Sequence, residues 1–144
     1  MMSCYWAKIK KNAADGCFYV GFPQFPDIHT DGMTLYEAKK NAGEALNGVM
    51  SVVIDIEKPL PTPRQFKGPG MYAIEIEPQI LTAMALRRLR GRASQKHVAS
   101  KLNISYQAYQ KLENPRTSNP TVKTLSKVVH AFGKRIEIGM VEAV

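Results

Sequence analysis

The stretch that decides the fold is QKHVASKLNISYQAYQKLEN, residues 95–114. Five of its apolar side chains recur at the spacing that lets two short helices bury a shared core. They are Val98, Leu102, Ile104, Tyr109 and Leu112. Ala99 is small where the helices must approach closely, and Asn103 tolerates the left-handed backbone of a tight turn. Because Ser94 and Ser105 are good N-caps for the two helices, the stretch predicts a helix-turn-helix.

Charge is divided unevenly along the chain. The 144 residues carry 20 basic and 12 acidic side chains, a net charge of +8. Residues 1–81 hold 8 basic and 9 acidic side chains, a net of −1, whereas residues 82–144 hold 12 and 3, a net of +9. A purely structural helical bundle has no need of such a charge. The asymmetry therefore predicts two units, the second of which meets a polyanion.

The first half of the chain contains the alternation of apolar and polar residues that is typical of strands. CYWAKIK at 4–10 and CFYVGF at 17–22 predict a β-hairpin, and MYAIEIE at 71–77 predicts a strand that returns to the same sheet. A short third strand is expected near residues 28–30, in a segment that contains two prolines. We therefore expect a small antiparallel sheet.

One helix is predicted to back this sheet. Thr34 and Glu37 form a capping box, and apolar residues recur at helical spacing from there to about Glu57. The sequence KPLPTPRQFKGPG at 58–70, with four prolines, predicts an extended loop.

The second half is predicted to be helical, with one strand at its end. ILTAMALRRLRGR at 80–92 is basic and amphipathic, and the final RIEIGMV alternates like a strand. The expected class is α+β, with domains at 1–78 and 79–144: a sheet backed by one helix, then an all-α helix-turn-helix domain with a C-terminal β-strand.

Composition and terminal sequence exclude a membrane protein. The chain is 44% hydrophobic and 22% charged, and it has no run of 18 apolar residues. The charges of the N-terminus follow its apolar residues, which is the wrong order for a signal peptide. Two cysteines, Cys4 and Cys17, do not make a disulfide framework. We expect a cytoplasmic protein with reduced thiols.

No motif predicts catalysis, and no metal or cofactor is expected. The histidines His29, His97 and His130 lack metal-ligand spacing, and no phosphate-binding loop or nucleophile motif is present. A metal-dependent nuclease needs converging carboxylates, usually one on the first strand, and residues 4–10 hold none. The chain is therefore predicted not to be an enzyme, which a metal-dependent cleavage assay would check.

Residues 94–133 resemble the Xre/Cro/lambda-repressor family of helix-turn-helix domains, including Leu112-Glu113-Asn114, the polar loop and Pro120. Pro115 departs from the family, which often has Gly there. The resemblance implies that the second helix enters the major groove, where Gln107 and Gln110 could bond adenine edges and Lys111 a guanine or a phosphate. The implied DNA-binding residues are Gln95, Lys96, Ser105, Tyr106, Gln107, Ala108, Gln110, Lys111, Arg116 and Lys123.

Residues 4–77 resemble the N-terminal domain of HicB-type antitoxins. The carrying residues are YWAKIKK, Asp15 to Val20, Phe22-Pro23, Pro26-Asp27, Thr30, Gly32, Thr34, Glu37-Ala38, Ala45 and Pro59 to Pro63. The resemblance implies a degenerate, non-catalytic RNase H-like or ferredoxin-like domain that binds a small basic HicA-type toxin, an mRNA-cleaving ribonuclease. Asp27, Asp31 and Glu37 are candidate toxin contacts, because they could offer an acidic face to a basic partner.

Together these features predict a type II antitoxin that also represses its own operon. Repressors of this kind bind paired half-sites, so we expect a homodimer, with residues 134–141 pairing across the two-fold axis and a tetramer as a further step. The alternative is a ligand-responsive repressor without a toxin partner, which would need an apolar cavity with convergent polar groups.

Overall fold

The computed structural model describes residues 3–144, which fold into two compact units that meet in sequence between Glu77 and Pro78. The first unit contains β1 (Cys4–Lys11), β2 (Phe18–Phe22), β3 (Phe25–Gly32), α1 (Leu35–Asp55) and β4 (Met71–Glu75). The second contains α2 (Pro78–Arg90), α3 (Gln95–Leu102), α4 (Tyr106–Glu113) and α5 (Val122–Ala131). The predicted α+β class, a sheet with one helix followed by helix-turn-helix-like helices, is confirmed.

The sheet has the strand order β3-β2-β1-β4, and each neighbouring pair is antiparallel. Alternation turns Tyr5, Ala7 and Ile9 of β1 to the buried face. Helix α1 covers that face with a stripe of small and aliphatic residues that are fully buried, namely Ala38, Ala42, Leu46 and Met50. The alternate residues of β1, namely Trp6, Lys8 and Lys10, lie on the opposite face of the sheet.

Strand β3 is longer than the sequence indicated, since it spans Phe25–Gly32 rather than residues 28–30. Pro26 lies inside it. Proline has no N–H to donate to a ladder, but β3 is at the edge of the sheet and pairs on one side only. The edge position therefore accommodates the proline that had suggested a loop.

Helix α1 begins at the predicted capping box. The Thr34 hydroxyl accepts a hydrogen bond from the Glu37 backbone N–H at 3.0 Å. The Glu37 carboxylate in turn accepts from the Met33 N–H at 2.9 Å. This reciprocal pair satisfies two donors that the start of a helix would otherwise leave free.

A buried asparagine ties α1 to the end of the first unit. The Asn47 amide donates to the carbonyl oxygens of Gly43 at 2.9 Å and Glu75 at 3.1 Å. Its side-chain oxygen accepts from the Glu77 N–H at 2.9 Å. Since a buried amide must be paired, these bonds fix where β4 ends relative to the helix.

The predicted C-terminal strand is wrong for the single chain. Residues 134–144 contain no strand, because a strand needs a ladder partner and no described strand pairs with this segment. Its apolar side chains are left in solvent: Ile138 is 66% exposed and Met140 is 91% exposed.

Gly32 is expected to be intolerant of a side chain, whereas Gly48 is not. A Cβ at Gly32 would lie 2.4 Å from the backbone nitrogen of Ala38, but one at Gly48 meets nothing within 4 Å. Gly32→Ala should lower the free energy of unfolding by about 1–3 kcal/mol. Gly48→Ala, in the middle of α1, should raise it by about 0.5–1 kcal/mol. Urea unfolding of both variants checks this, and equal stability of Gly32→Ala and the unaltered chain would contradict the close packing.

Candidate nucleic-acid interface

The helix-turn-helix is built around one hydrophobic core. Its fully buried members are Leu86, Val98, Ala99, Leu102, Tyr109 and Val128. Ile104 and Leu112 are partly buried and pack against them. The five apolar positions and the small residue that predicted the motif therefore all face this core.

The turn between α3 and α4 has the local geometry that its residues predict. Asn103 adopts the left-handed conformation, with φ 56° and ψ 45°. The Ser94 hydroxyl accepts from the His97 N–H, and the Ser105 hydroxyl accepts from the Ala108 N–H, both at 3.0 Å. Both helices therefore start at a capped residue, and the turn is closed by a residue that tolerates a positive φ.

A buried carboxylate joins three helices of the motif. Glu113 in α4 is only 5% exposed. It accepts from the Arg90 Nε of α2 at 2.6 Å, the Gln95 amide of α3 at 2.8 Å and the Tyr109 hydroxyl at 2.7 Å. Burial and then the bond to Glu113 raise the pKa of Tyr109 well above its usual range. The phenol therefore stays a donor, and the carboxylate is fully paired.

The outer face of α4 lies in solvent. Gln107, Ala108, Gln110 and Lys111 are exposed, and Tyr106 is half-buried. The Lys96 ammonium of α3 lies 5.4 Å from the centre of the Tyr106 ring, and the Gln110 amide lies 3.5 Å from the Tyr106 hydroxyl. Polar groups of α3 and α4 are thus brought together on one surface.

Two protein-family models match the chain, one over each unit for the most part. Residues 4–85 match the model described as the HicB-like antitoxin of bacterial toxin-antitoxin systems. The chain belongs to the HicB-like antitoxin family. Residues 85–138 match a helix-turn-helix family model. Both resemblances that the sequence suggested are therefore confirmed, and this HicB-like antitoxin also carries a DNA-binding domain.

Neither the remaining comparison nor the described residues point to a further functional class. No curated protein matched the chain. The matched families are antitoxin and DNA-binding classes rather than enzyme classes. Within residues 3–144, no helix has the length and apolar character needed to cross a membrane. The same residues bring together no group of three or more metal-ligating side chains.

Gln95, one of the implied DNA-binding residues, also makes a bond inside the protein. Its side-chain amide nitrogen donates to the buried Glu113 at 2.8 Å. The first turn of α3 still presents backbone N–H groups that helix geometry leaves without an intrahelical acceptor. The contact of Gln95 with DNA stays a prediction.

Four other implied DNA-binding residues lie at the surface. Lys96, Arg116 and Lys123 are exposed, as is the capping residue Ser105. The Arg116 N–H donates to the Asn114 side chain at 2.9 Å, which shapes the turn after α4. Pro115, the departure from the family pattern, is buried, and its carbonyl accepts from the Gln79 amide at 2.7 Å.

The predicted toxin contacts of the antitoxin all lie in its first unit. Asp27 and Asp31 are exposed positions on the same face of β3. Glu37 is exposed in the first turn of α1, where its carboxylate also completes the capping box. Glu37 bonds the Met33 N–H, and the Met33 sulfur lies 3.4 Å from the Cys17 sulfur, whereas Asp27 lies further along β3.

Sequence reasoning missed Arg90, Glu113 and Asn47 as structural determinants. Arg90 was one of several arginines in a basic helix, and Asn47 interrupts an apolar stripe. A signal for Glu113 was present, because it is one of 3 acidic residues among residues 82–144 and lies four positions after Tyr109. Residues four apart share a helix face, so this acid belongs to the buried side.

Glu113→Gln should strongly destabilise the second unit. The substitution preserves shape but leaves the Arg90 guanidinium buried without its counter-charge, at a cost of about 3–5 kcal/mol. The matched control is Glu137→Gln, whose pair with Arg135 spans 4.0 Å with both side chains about nine-tenths exposed. That control should not change the unfolding midpoint. Thermal unfolding by circular dichroism separates the two, and similar midpoints would contradict the network.

Proposed function

We propose that this HicB-like chain is the antitoxin of a type II toxin–antitoxin pair that also represses its own operon. Its first unit binds and inhibits a HicA-type mRNA-cleaving toxin, and its second unit binds operator DNA by sequence. The observation that carries the proposal is the union, in one chain, of a HicB-like antitoxin domain with a helix-turn-helix of net charge +9.

The exposed face of α4 supports direct reading of bases. An α-helix fits the major groove, where a glutamine amide can pair with an adenine edge and a lysine with a guanine. Gln107, Gln110 and Lys111 are the exposed side chains of this kind on α4. We assign them to bases, with Tyr106 and Ala108 packed against the groove, and assign phosphates to Lys96, Arg116, Lys123 and the N-termini capped by Ser94 and Ser105.

The same proposal makes the protein a homodimer. Residues 134–141 present Ile136, Ile138 and Met140 at alternate positions, and the last two are largely exposed. Alternation of this kind suits a strand that pairs with the same segment of a second copy. Such pairing would bury the exposed apolar side chains and leave no unpaired strand edge. Two copies related by a two-fold axis would then present two copies of α4 to paired half-sites.

Substitutions on the two parts of the proposed DNA surface should have different effects. Gln107→Ala and Gln110→Ala should each weaken operator binding by about 1–3 kcal/mol and relax sequence preference. Lys96→Ala or Arg116→Ala should weaken all DNA alike and lower the salt slope of log K by about one unit. Fluorescence anisotropy with operator and scrambled duplexes at several salt concentrations measures both effects. Identical behaviour of the two classes would show that the assignment of bases and phosphates is wrong.

Co-expression with the neighbouring gene tests the toxin partner. A small reading frame encoding a basic protein should lie beside this gene, and its expression alone should arrest growth. Co-expression of the antitoxin should restore growth and give a stable complex on purification. A chain that binds its operator but neither restores growth nor forms the complex would instead be a repressor without a toxin partner.

A further inference from the structure

One corner of the first unit combines exposed apolar side chains with carboxylates. We call it the acidic corner, and it consists of Asp15, Cys17, Tyr19, Asp31, Met33 and Glu37. The ladder pairs Tyr19 of β2 with Asp31 of β3. The Cys17 sulfur lies 3.4 Å from the Met33 sulfur, and the Tyr19 hydroxyl donates to Asp15 at 2.6 Å. The corner is therefore a contiguous surface on two strands and the start of α1.

The apolar part of the acidic corner is unusually exposed for large side chains. Met33 is 65% exposed and Tyr19 is 45% exposed, and Tyr36 in the neighbouring first turn of α1 is 80% exposed. The backbone beneath Met33 is held by the Glu37 carboxylate, so the side chain is displayed from a fixed position. Methionine and tyrosine are enriched at protein interfaces and scarce on unpartnered surfaces.

The charged part of the acidic corner is bordered by Lys10 of β1, which lies opposite Tyr19 in the ladder. Within the described part of the chain, no Lys or Arg nitrogen forms an ion pair with Asp15, Asp31 or Glu37. Burial and then these three carboxylates raise the pKa of the Cys17 thiol, which shows that their field converges there. The ammonium of Lys11, on the adjacent strand, lies instead over the Phe18 ring at 5.7 Å.

We propose that the acidic corner is the surface through which the first unit docks its toxin, with Met33 and Tyr19 as the apolar contacts and Asp31 as the pairing carboxylate. This inference rests on the proposed function. Apolar side chains beside carboxylates that form no ion pair fit a protein partner with a cationic rim around an apolar patch. Asp15 and Glu37 are positioning residues, because their carboxylates hold the Cys17, Tyr19 and Met33 backbone or side chains.

Matched substitutions inside and outside the corner test the proposal. Met33→Lys is paired with Ile56→Lys, whose side chain is 56% exposed at the far end of α1. Asp31→Lys is paired with Glu44→Lys, another exposed acid with the same change of charge. Each full-length variant is titrated with the purified product of the adjacent reading frame by calorimetry. Thermal unfolding and operator binding of each variant report whether the fold is kept.

The proposal predicts that Met33→Lys and Asp31→Lys each raise Kd at least about tenfold, and that the Asp31→Lys effect is larger at low salt. The two control variants should bind like the unaltered chain. If all four variants bind equally well, the acidic corner is not the docking surface, although the proposed antitoxin function stands. If the unaltered chain does not bind the partner at all, the proposed function fails and the docking surface fails with it. The oligomeric state of Asp31→Lys is also measured without the toxin. If it differs from that of the unaltered chain, the corner contacts the basic second unit of another copy, and the proposal is overturned.

Discussion

The buried carboxylate of Glu113 is the interaction on which the DNA-binding unit depends. A charge removed from water is tolerated only when its lone pairs are filled, and here Arg90, Gln95 and Tyr109 fill them from three helices. Those bonds fix the rotation of α4 about its own axis. Because the inner face of the helix is committed in this way, the outer face with Gln107 and Lys111 is displayed in one orientation. A reading surface that is already ordered loses little conformational entropy on binding.

The first unit is also held together by a buried polar side chain, in this case an amide rather than a carboxylate. Helix α1 covers one face of the sheet, and Asn47 fastens it to the end of β4 by one bond donated to Glu75 and one accepted from Glu77. The corner near Met33 is the surface that we propose for docking a partner. The net charge of +9 in residues 82–144 favours a polyanionic ligand for the second unit, whereas residues 1–81, with a net charge of −1, are near neutral. A single short chain therefore combines a HicB-like antitoxin unit with a helix-turn-helix unit.

Local features were predictable from the sequence. Features that depend on residues distant in the sequence, or on a second copy of the chain, were not. The capping box at Thr34, the left-handed Asn103 and the alternation of β1 each depend on a few neighbouring residues. The length of β3 depends on its place at the sheet edge, and the pairing of Glu113 depends on α2 and α3. The terminal segment shows a third case, because its alternation suits a strand whose partner would lie in another copy of the chain.

Chemical footprinting of the operator tests the central claim most directly, namely that α4 of two copies reads the major groove. Methylation of guanine N7 reports the major groove, and methylation of adenine N3 reports the minor groove. The account predicts N7 protection in two patches about 10 base pairs apart, or a multiple of this spacing, related by two-fold symmetry. Protection confined to adenine N3, or a single patch without a symmetric counterpart, would contradict it.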